Sequence, residues 1–304
     1  MLKGYQSKSE VTKAYVQMHL SIILWGATAV LGKSINMSEG LLVWYRMIIT
    51  TLSLFTFIAL TGKSFRVSKK QFLALFGIGV LLMIHWLFFY GAIKYSNVSI
   101  TLSLFSSTTL FTALIEPMIT SKKFNKTELL YSIMAIAGIC IIFYSDTNSY
   151  SIGIFLAIMA AFVGAFFNIL NKKVVHEVSS DVVSFYELLS GLLVLTIFLP
   201  YYIHLFRPVA LVPSTQDWVL LFILAVFCTH FPLVLSLNAL KHLSAFTLNL
   251  SINLEPVYGI TLAFIIFGEN KRMGPGFFIG TALIMLSVVL HSYFASKEAV
   301  LPEP

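Results

Sequence analysis

Four charged side chains lie inside long apolar stretches of this 304-residue sequence. They are Arg46, Glu116, Glu187 and Glu255. A charge at the middle of a membrane-spanning helix costs about 2.5–3.5 kcal/mol on insertion scales, so each needs an opposite charge, a hydrogen-bonding partner or a water-filled cavity. A buried carboxylate binds cations or protons, and a guanidinium group binds carboxylates. These four residues are therefore the first candidates for chemistry.

Glu255 lies about halfway along an apolar segment, and Pro256 follows it directly. Proline removes a backbone donor and leaves a carbonyl one turn back unpaired, which predicts a broken helix here. Asn249 lies four residues before Asn253, and Asn253 lies three residues before Pro256, so all three share one helical face. We expect this face, with Glu255 beside it, to line a hydrated cavity. The alternative is a protonated Glu255 that bonds between packed helices.

The fourth apolar segment carries many hydroxyl side chains. They are Thr101, Ser103, Ser106, Ser107, Thr108, Thr109 and Thr112. A single Ser or Thr commonly bonds a carbonyl of its own helix, so one hydroxyl decides little, but the cluster indicates a polar face. We assign Ser106 and Thr109 to the same cavity as Glu255.

Two histidines and a tryptophan complete the predicted cavity. His85 and His230 lie at similar depth in the third and eighth apolar segments. Histidine can carry protons near neutral pH, and the alternative is a neutral ring that bonds a neighbouring carbonyl. Trp25, in the first segment, would provide an aromatic lining for an apolar ligand, or would pack against lipid and other helices.

Arg46, Glu187 and Glu116 are predicted to have gating or structural roles. Arg46 lies about five residues, or ~8 Å, from one end of its segment, where it could bind a ligand carboxylate, cap helix carbonyls or extend towards water. Glu187 and Glu116 are expected near the opposite end, within reach of lysines. Those lysines are Lys122, Lys123, Lys172 and Lys173.

The composition is that of a membrane protein. Of all residues 58% are hydrophobic and only 11% are charged, whereas soluble domains have about 25% charged residues. A membrane-spanning helix needs about 20 mostly apolar residues. The segments that qualify are 14–32, 41–60, 72–93, 99–120, 129–144, 152–170, 182–202, 218–240, 245–267 and 275–292. We therefore predict an all-α membrane protein with ten transmembrane helices.

Lysine and arginine are unevenly distributed among the loops. If the amino terminus is cytoplasmic, fourteen of them fall on the cytoplasmic side and five outside. Because cytoplasmic loops carry the excess, both termini are predicted to be cytoplasmic. This distribution also accounts for the net charge of +7. A nucleic-acid-binding protein would instead concentrate its basic residues on one face of a soluble module.

The two halves of the sequence are similar to each other. YGAIKYSNVS at 90–99 aligns with SLNALKHLSAF at 236–246, and WYRM at 44–47 aligns with FYEL at 185–188. We divide the chain into repeats 13–144 and 151–292. Each repeat holds five segments, so the second would cross the membrane in the opposite orientation. Inverted repeats of this kind are typical of secondary transporters, whose sites lie between the repeats near the midplane.

Two segments resemble EamA-type members of the drug/metabolite transporter superfamily. They are LKHLSAFTLNLSINLEPVYGITLAFIIFGEN at 240–270 and IKYSNVSITLSLFSSTTLFTALIEP at 93–117. The most specific part is LEPV at 254–257, followed by Gly268 and Glu269. The resemblance extends over about 14–292, with one departure: the family usually has proline where this chain has Thr109, while Glu116 and Pro117 appear further along the same segment.

The resemblance implies an exporter of a small metabolite, with amino acids or related compounds as substrates, in the inner (plasma) membrane. Together with the repeats it predicts alternating access, driven by an ion gradient, protons being one candidate, or by the gradient of the substrate. The alternatives are a nucleotide-sugar or sugar-phosphate exchanger and, in a different class, an intramembrane enzyme.

Motifs for energy coupling and hydrolysis are incomplete. Neither GKS sequence has the upstream glycine of a P-loop, HEVSS at 176–180 lacks the second histidine of HExxH, and no cysteine pair has metal-site spacing. We predict a protein that is not an enzyme and uses no cofactor, metal or nucleic acid. Gly276 and Gly280 form a GxxxG pattern, which leaves a homodimer open.

Overall fold

The structure, a computed structural model, describes residues 8–119, 126–175, 177–243, 251–252 and 254–298. Within these ranges the chain is helical and contains no β-strand. The α-helices are α1 (Lys8–Gly26), α2 (Thr28–Ser34), α3 (Glu39–Leu60), α4 (Lys69–Tyr95), α5 (Val98–Phe105), α6 (Thr108–Ile119), α7 (Lys126–Val174), α8 (Ser180–Phe206), α9 (Thr215–Phe222), α10 (Phe231–His242), α11 (Glu255–Phe267) and α12 (Pro275–Glu298). A π-helical segment, Ile223–His230, joins α9 to α10, and a short 3-10 turn, Glu269–Arg272, lies between α11 and α12.

In the described part of the chain, seven helical stretches are long and apolar enough to cross a membrane. They are Ser9–Ser34, Glu39–Leu60, Lys69–Tyr95, Val98–Ile119, Tyr150–Val174, Ser180–Phe206 and Thr215–His242. Shorter apolar helices cover Ile133–Ile142, Glu255–Phe267 and Pro275–Ser287. Each of these overlaps one predicted segment, so the all-α membrane fold is confirmed, while the count of ten crossings remains a prediction.

The predicted fifth and sixth segments are continuous in α7. The sequence places a loop at 145–151, but the backbone there stays helical except at Tyr150, where φ is −135° and ψ is 15°. Ser145 Oγ donates to the carbonyl oxygen of Ile142 at 3.0 Å, within the helix. The connection between the two halves of the chain is therefore a kink at one residue.

Two other predicted segments are interrupted near their centres. The first breaks between α1 and α2, and the fourth breaks between α5 and α6. At each break a threonine hydroxyl donates to a carbonyl three residues back, Thr28 to Trp25 at 2.7 Å and Thr108 to Phe105 at 2.6 Å. Such side-chain bonds compete with the helical backbone ladder, which helps to explain where the helices end.

The π-helical segment ends just before Pro232, in the first turn of α10. Proline cannot donate to the carbonyl four residues back and its ring collides with it, so the preceding turn widens. Thr229 lies within the π-helical segment, and its Oγ1 donates to the carbonyl oxygen of Leu224 at 2.6 Å. This distortion fixes the position of the Thr229 hydroxyl inside the bundle.

Ion pairs tie helices together at both ends of the bundle. At one end, which we call the Glu269 end, Lys33 Nζ lies 2.5 Å from Glu269 Oε1. At the other, which we call the Asp181 end, Lys63 pairs with Asp181. Helix α3, Glu39–Leu60, runs from the Glu269 end to the Asp181 end, because it starts shortly after Lys33 and stops shortly before Lys63.

The GxxxG pattern of α12 packs against the first half of α7. A Cβ atom on Gly280 would lie 2.6 Å from the carbonyl oxygen of Gly138, and one on Gly276 would lie 2.4 Å from Ser145 Cβ. These glycines therefore permit a close helix contact within the chain, and the pattern carries no separate argument for a dimer.

Candidate functional site

A cavity of about 90 Å³ lies among the interrupted helices. Its polar side chains are Thr28, Arg46, His85, Thr108, Asn168 and Glu255. Its aromatic side chains are Trp25, Trp86, Phe89, Phe105 and Phe167. Both halves of the chain contribute, since α1 to α6 provide one wall and α7, α10 and α11 provide the other. The arrangement combines two opposite charges with a largely aromatic surface.

Two helices that start partway along a predicted segment, α6 and α11, begin at this cavity. Thr108 is the first residue of α6, and Glu255 is the first residue of α11, and both side chains line the cavity. The first turn of a helix has backbone N–H groups without helical partners and a partial positive charge. Pro256 lies in the first turn of α11, where its missing N–H costs no helical bond. The break predicted at Pro256 therefore coincides with a helix start in the structure.

Arg46 is held rigidly in the cavity wall. Its Nε donates to Thr229 Oγ1 at 2.8 Å, and its Nη1 donates to Tyr90 Oη at 2.5 Å. The guanidinium carbon lies 3.8 Å from the ring centroid of Trp86, so the planar group stacks on the indole. Only 3% of the residue is exposed. Of the five N–H donors, these contacts use two, which leaves donors for a ligand.

Glu255 is the negative counterpart of Arg46. Only 5% of it is exposed, and in the described part of the chain its carboxylate makes neither a hydrogen bond nor an ion pair. Arg46 is the charged group that acts on it through space. A buried charge without a partner is strongly unfavourable. The Glu255 carboxylate therefore requires a proton or a cationic ligand.

The two predicted histidines occupy different environments. His85 lines the cavity, and its Nδ1 lies 2.9 Å from the carbonyl oxygen of Ala160. A carbonyl only accepts, so Nδ1 is the donor, which matches the alternative of a histidine bonded to a carbonyl. His230 is not among the residues that line the cavity; its Nδ1 lies 2.7 Å from Ser53 Oγ. The structure therefore does not bring His85 and His230 together.

The other predicted cavity residues divide into three groups. Trp25 is among the residues that line the cavity. Ser106 is buried beside the break between α5 and α6, and its Oγ donates to the carbonyl oxygen of Ser103 at 2.5 Å, so it does not reach the lining. Asn249 and Asn253 lie outside the described residues, as does the side chain of Thr109.

The three residues assigned to gating or structure lie on three different helices. Arg46 lies in the cavity wall. Glu187 is fully buried on α8, and it has no lysine partner in the described part of the chain. Glu116 is half-buried on α6, where Lys172 experiences its charge. Of the lysines expected as partners, Lys122 and Lys123 lie outside the described residues.

Sequence reasoning missed several residues of the site. Tyr90 and Thr229 hold Arg46, and Trp86 stacks on it. Asn168, which lines the cavity, is a polar residue inside an apolar segment, so a signal for it was present. Tyr90 and Thr229 carry no such signal, because their role depends on which helix faces Arg46.

The comparisons with known proteins agree with this architecture. The model of the EamA-like transporter family matches the chain twice, over residues 12–144 and 151–293. An uncharacterized transporter of Bacillus subtilis (strain 168), YxxF, is 24% identical over 270 residues, covering 86% of this chain and 84% of its own length. An uncharacterized transporter of Clostridium kluyveri is 23% identical over 304 residues, covering 94% and 95%. A solved crystal structure with 17% identity superposes with a TM-score of 0.67 over 94% of this chain and 98% of the other, which supports the fold alone. The chain therefore belongs to the EamA-like transporter family, whose members move small solutes across membranes.

Proposed function

We propose that this protein is a secondary carrier for a small zwitterionic solute, an amino acid or a related compound. The proposal rests on one observation. Arg46 and Glu255 line the same cavity, and among the described residues no ion pair joins them. Family membership gives the general activity, membrane transport of a small solute. The charges of the cavity suggest which kind of solute fits.

A zwitterion satisfies both charges at once. Its carboxylate would accept from the N–H groups of Arg46 that do not bond Thr229 or Tyr90, close to the start of α6. Its ammonium group would lie against the Glu255 carboxylate. A purely cationic solute would leave Arg46 buried without a partner, which is costly, and a purely anionic solute would require Glu255 to hold a proton.

The size and surface of the cavity support a small solute with an apolar part. A cavity of about 90 Å³ is well below the ~300–1,000 Å³ of pockets for drug-sized ligands. The aromatic side chains provide an apolar surface beside the charges.

We infer alternating access between the two repeats, with the Asp181 end facing the cytoplasm. The distribution of lysine and arginine supports this orientation, because Lys63, which pairs with Asp181 at that end, is one of the predicted cytoplasmic cations. In this orientation both termini are cytoplasmic, and the proposed direction of transport is export across the inner (plasma) membrane.

Two other functions are less well supported. A sugar-phosphate or nucleotide-sugar exchanger needs several cations, but Arg46 is the one cation among the described residues that line the cavity. An intramembrane enzyme would need Glu255, Glu116 and a histidine to converge, and Glu116 is not among those lining residues. The transporter-named relatives also favour transport over catalysis.

The test is counterflow in proteoliposomes, in which labelled amino acids exchange into vesicles preloaded with the same unlabelled compound. We expect the wild-type chain to exchange at least one small amino acid and the Glu255→Gln variant to lose about tenfold or more, since a hydrogen bond to a charged group is worth about 1.5–3 kcal/mol. The matched control is Glu177→Gln, which changes an exposed glutamate. Absence of exchange by folded wild-type protein would contradict the proposal.

A further inference from the structure

A second group of buried polar side chains lies outside the cavity. Glu187 and Ser184 on α8 are both 0% exposed, and Asn171 on α7 is 1% exposed. Both carboxyl oxygens of Glu187, both polar atoms of the Asn171 amide and the Ser184 hydroxyl lack hydrogen-bond partners. Five unsatisfied atoms on three neighbouring residues are exceptional, because buried polar groups are nearly always bonded. We call these three residues the Glu187 pocket.

The Glu187 pocket lies about one helical turn from the cavity. Asn171 follows the cavity residue Asn168 by three positions on α7, about 4.5 Å along the axis. On α4, Gly79 precedes the cavity residue Leu82 by three positions, and a Cβ atom on Gly79 would lie 2.1 Å from the carbonyl oxygen of Glu187. Both displacements point towards the Asp181 end. Two of the helices that shape the cavity therefore also shape this pocket.

The chemistry of the pocket suits a proton better than a metal cation. The backbone is helical at all three residues, so their carbonyls are occupied by helical bonds and only side-chain oxygens remain as ligands. Sodium sites in transporters rely on unwound backbone carbonyls. The Asn171 amide lies close enough to the Glu187 carboxyl to interact with it, but the two groups form no hydrogen bond of normal geometry. A protonated carboxyl can donate to the amide oxygen and accept from its N–H, whereas a metal ion would take both the amide oxygen and the carboxylate as ligands and leave the buried amide N–H without an acceptor.

No fixed charge neutralises Glu187 in the described part of the chain. The charged and titratable side chains on the surrounding helices, at the cavity or towards the Asp181 end, include Arg46 on α3, His85 on α4, Lys172 on α7, His230 on the π-helical segment, Lys241 on α10, and Asp181 on α8 itself. Asp181 pairs with Lys63, and Lys172 donates to the carbonyl oxygens of Leu240 and Leu243. None of the six forms an ion pair with Glu187.

We propose that Glu187, with Asn171 and Ser184, forms the proton-binding site that couples solute transport to a proton gradient. The proposal rests on the carrier function proposed above. Glu187 takes a proton from water on one side of the membrane, holds it in the closed pocket against Asn171, and releases it to water on the other side. Opening of the cavity towards the Asp181 end would admit water to the pocket, because α4 and α7 form part of both.

The experiment compares exchange with gradient-driven transport in proteoliposomes that contain the full-length protein. Counterflow without a pH gradient requires no net proton movement, whereas accumulation against a concentration gradient does. In the Glu187→Gln variant, which cannot release a proton, we expect counterflow to persist and accumulation driven by a pH gradient to fall about 5- to 150-fold, the usual range of coupling between sites. The Glu177→Gln control should retain both activities. A sodium gradient should drive no accumulation in any variant.

Different failures have different meanings. Absence of wild-type counterflow would contradict the carrier function itself. If Glu187→Gln retains both counterflow and pH-driven accumulation, the proton site is overturned and the carrier function stands. Accumulation driven by a sodium gradient would have the same meaning. Glu187→Asp, which keeps a titratable carboxyl, should keep the coupling.

A spectroscopic measurement tests the pocket without any solute. Infrared spectra of the folded wild-type protein should contain protonated-carboxyl absorption that disappears as the pH rises, and the component that belongs to Glu187 should be missing in Glu187→Gln. The Glu255→Gln variant separates the contribution of the cavity glutamate. A titrating band that Glu187→Gln leaves unchanged would exclude Glu187 as the proton carrier.

Discussion

Glu269 links three helices at one end of the bundle, and its replacement should weaken that closure. Its Oε2 accepts from the backbone N–H and the hydroxyl of Ser99 at 2.8 and 2.5 Å, and its Oε1 accepts from the backbone N–H of Val98 at 3.2 Å. Lys33 Nζ donates to the same Oε1 at 2.5 Å. The carboxylate thus caps the first turn of α5 and also pairs with a cation.

The two functions of Glu269 differ in magnitude. Hydrogen bonds to a charged group contribute about 1.5–3 kcal/mol each, and a glutamine can preserve some but not all of them. The Lys33 side chain is 29% exposed, so its ion pair is weakened by solvent and contributes about 0–1 kcal/mol. We expect Glu269→Gln to cost about 2–4 kcal/mol and Lys33→Met about 1 kcal/mol or less, with a coupling of about 0.5–1 kcal/mol between them.

The assay is reversible unfolding in mixed micelles, followed by circular dichroism for both single variants and the double variant. Lys271→Met is the matched control, because it removes an exposed cation near Glu269. A larger cost for Lys33→Met than for Glu269→Gln would refute the reasoning that the backbone bonds dominate. A coupling energy indistinguishable from zero would refute the ion pair.

Three further substitutions test other contacts. Gly79→Ala should cost about 1–3 kcal/mol in the same unfolding assay, because the new Cβ would lie 2.1 Å from the Glu187 carbonyl oxygen. The control is Gly77→Ala, whose Cβ would have nothing within 4 Å and which should be neutral or stabilising by up to ~1 kcal/mol. Equal effects of the two substitutions would contradict the close packing. Arg46→Lys should reduce counterflow about tenfold or more with a smaller effect on unfolding, because lysine cannot stack on Trp86 while donating to two partners; unchanged flux would exclude Arg46 from solute binding. Lys63→Met should cost only about 0–1 kcal/mol, because the Lys63 side chain is 42% exposed, and a loss larger than that of Glu269→Gln would contradict this ranking.

The helical fold could be predicted from sequence because hydropathy is a local property. Each apolar stretch reflects the need to satisfy every backbone polar group inside a bilayer. The kink at Tyr150 could not be predicted, because the polar residues before it are equally compatible with a loop. The π-helical turn before Pro232 also escaped prediction, since proline indicates a distortion without specifying its form.

The site was predictable where a residue is costly in any lipid environment. Glu255 and Arg46 attract attention by charge alone, but the sequence left open whether Arg46 binds a ligand, caps a helix or extends to water. That choice depends on Thr229 and Tyr90, which reach Arg46 only through the packing of α3 against the π-helical turn and α4. Likewise, the sequence suggested lysine partners for Glu187, whereas burial beside Gly79 isolates it.

The central claim is that opposite charges in one cavity recognise the two charges of a zwitterion. The direct test compares counterflow of one small amino acid with inhibition of that counterflow by its methyl ester, which lacks the carboxylate, and by its N-acetyl derivative, which lacks the ammonium group. We predict that the parent amino acid competes at least about tenfold better than either derivative, because each derivative leaves Arg46 or Glu255 unpaired. Competition by both derivatives as strong as that of the parent would contradict the account.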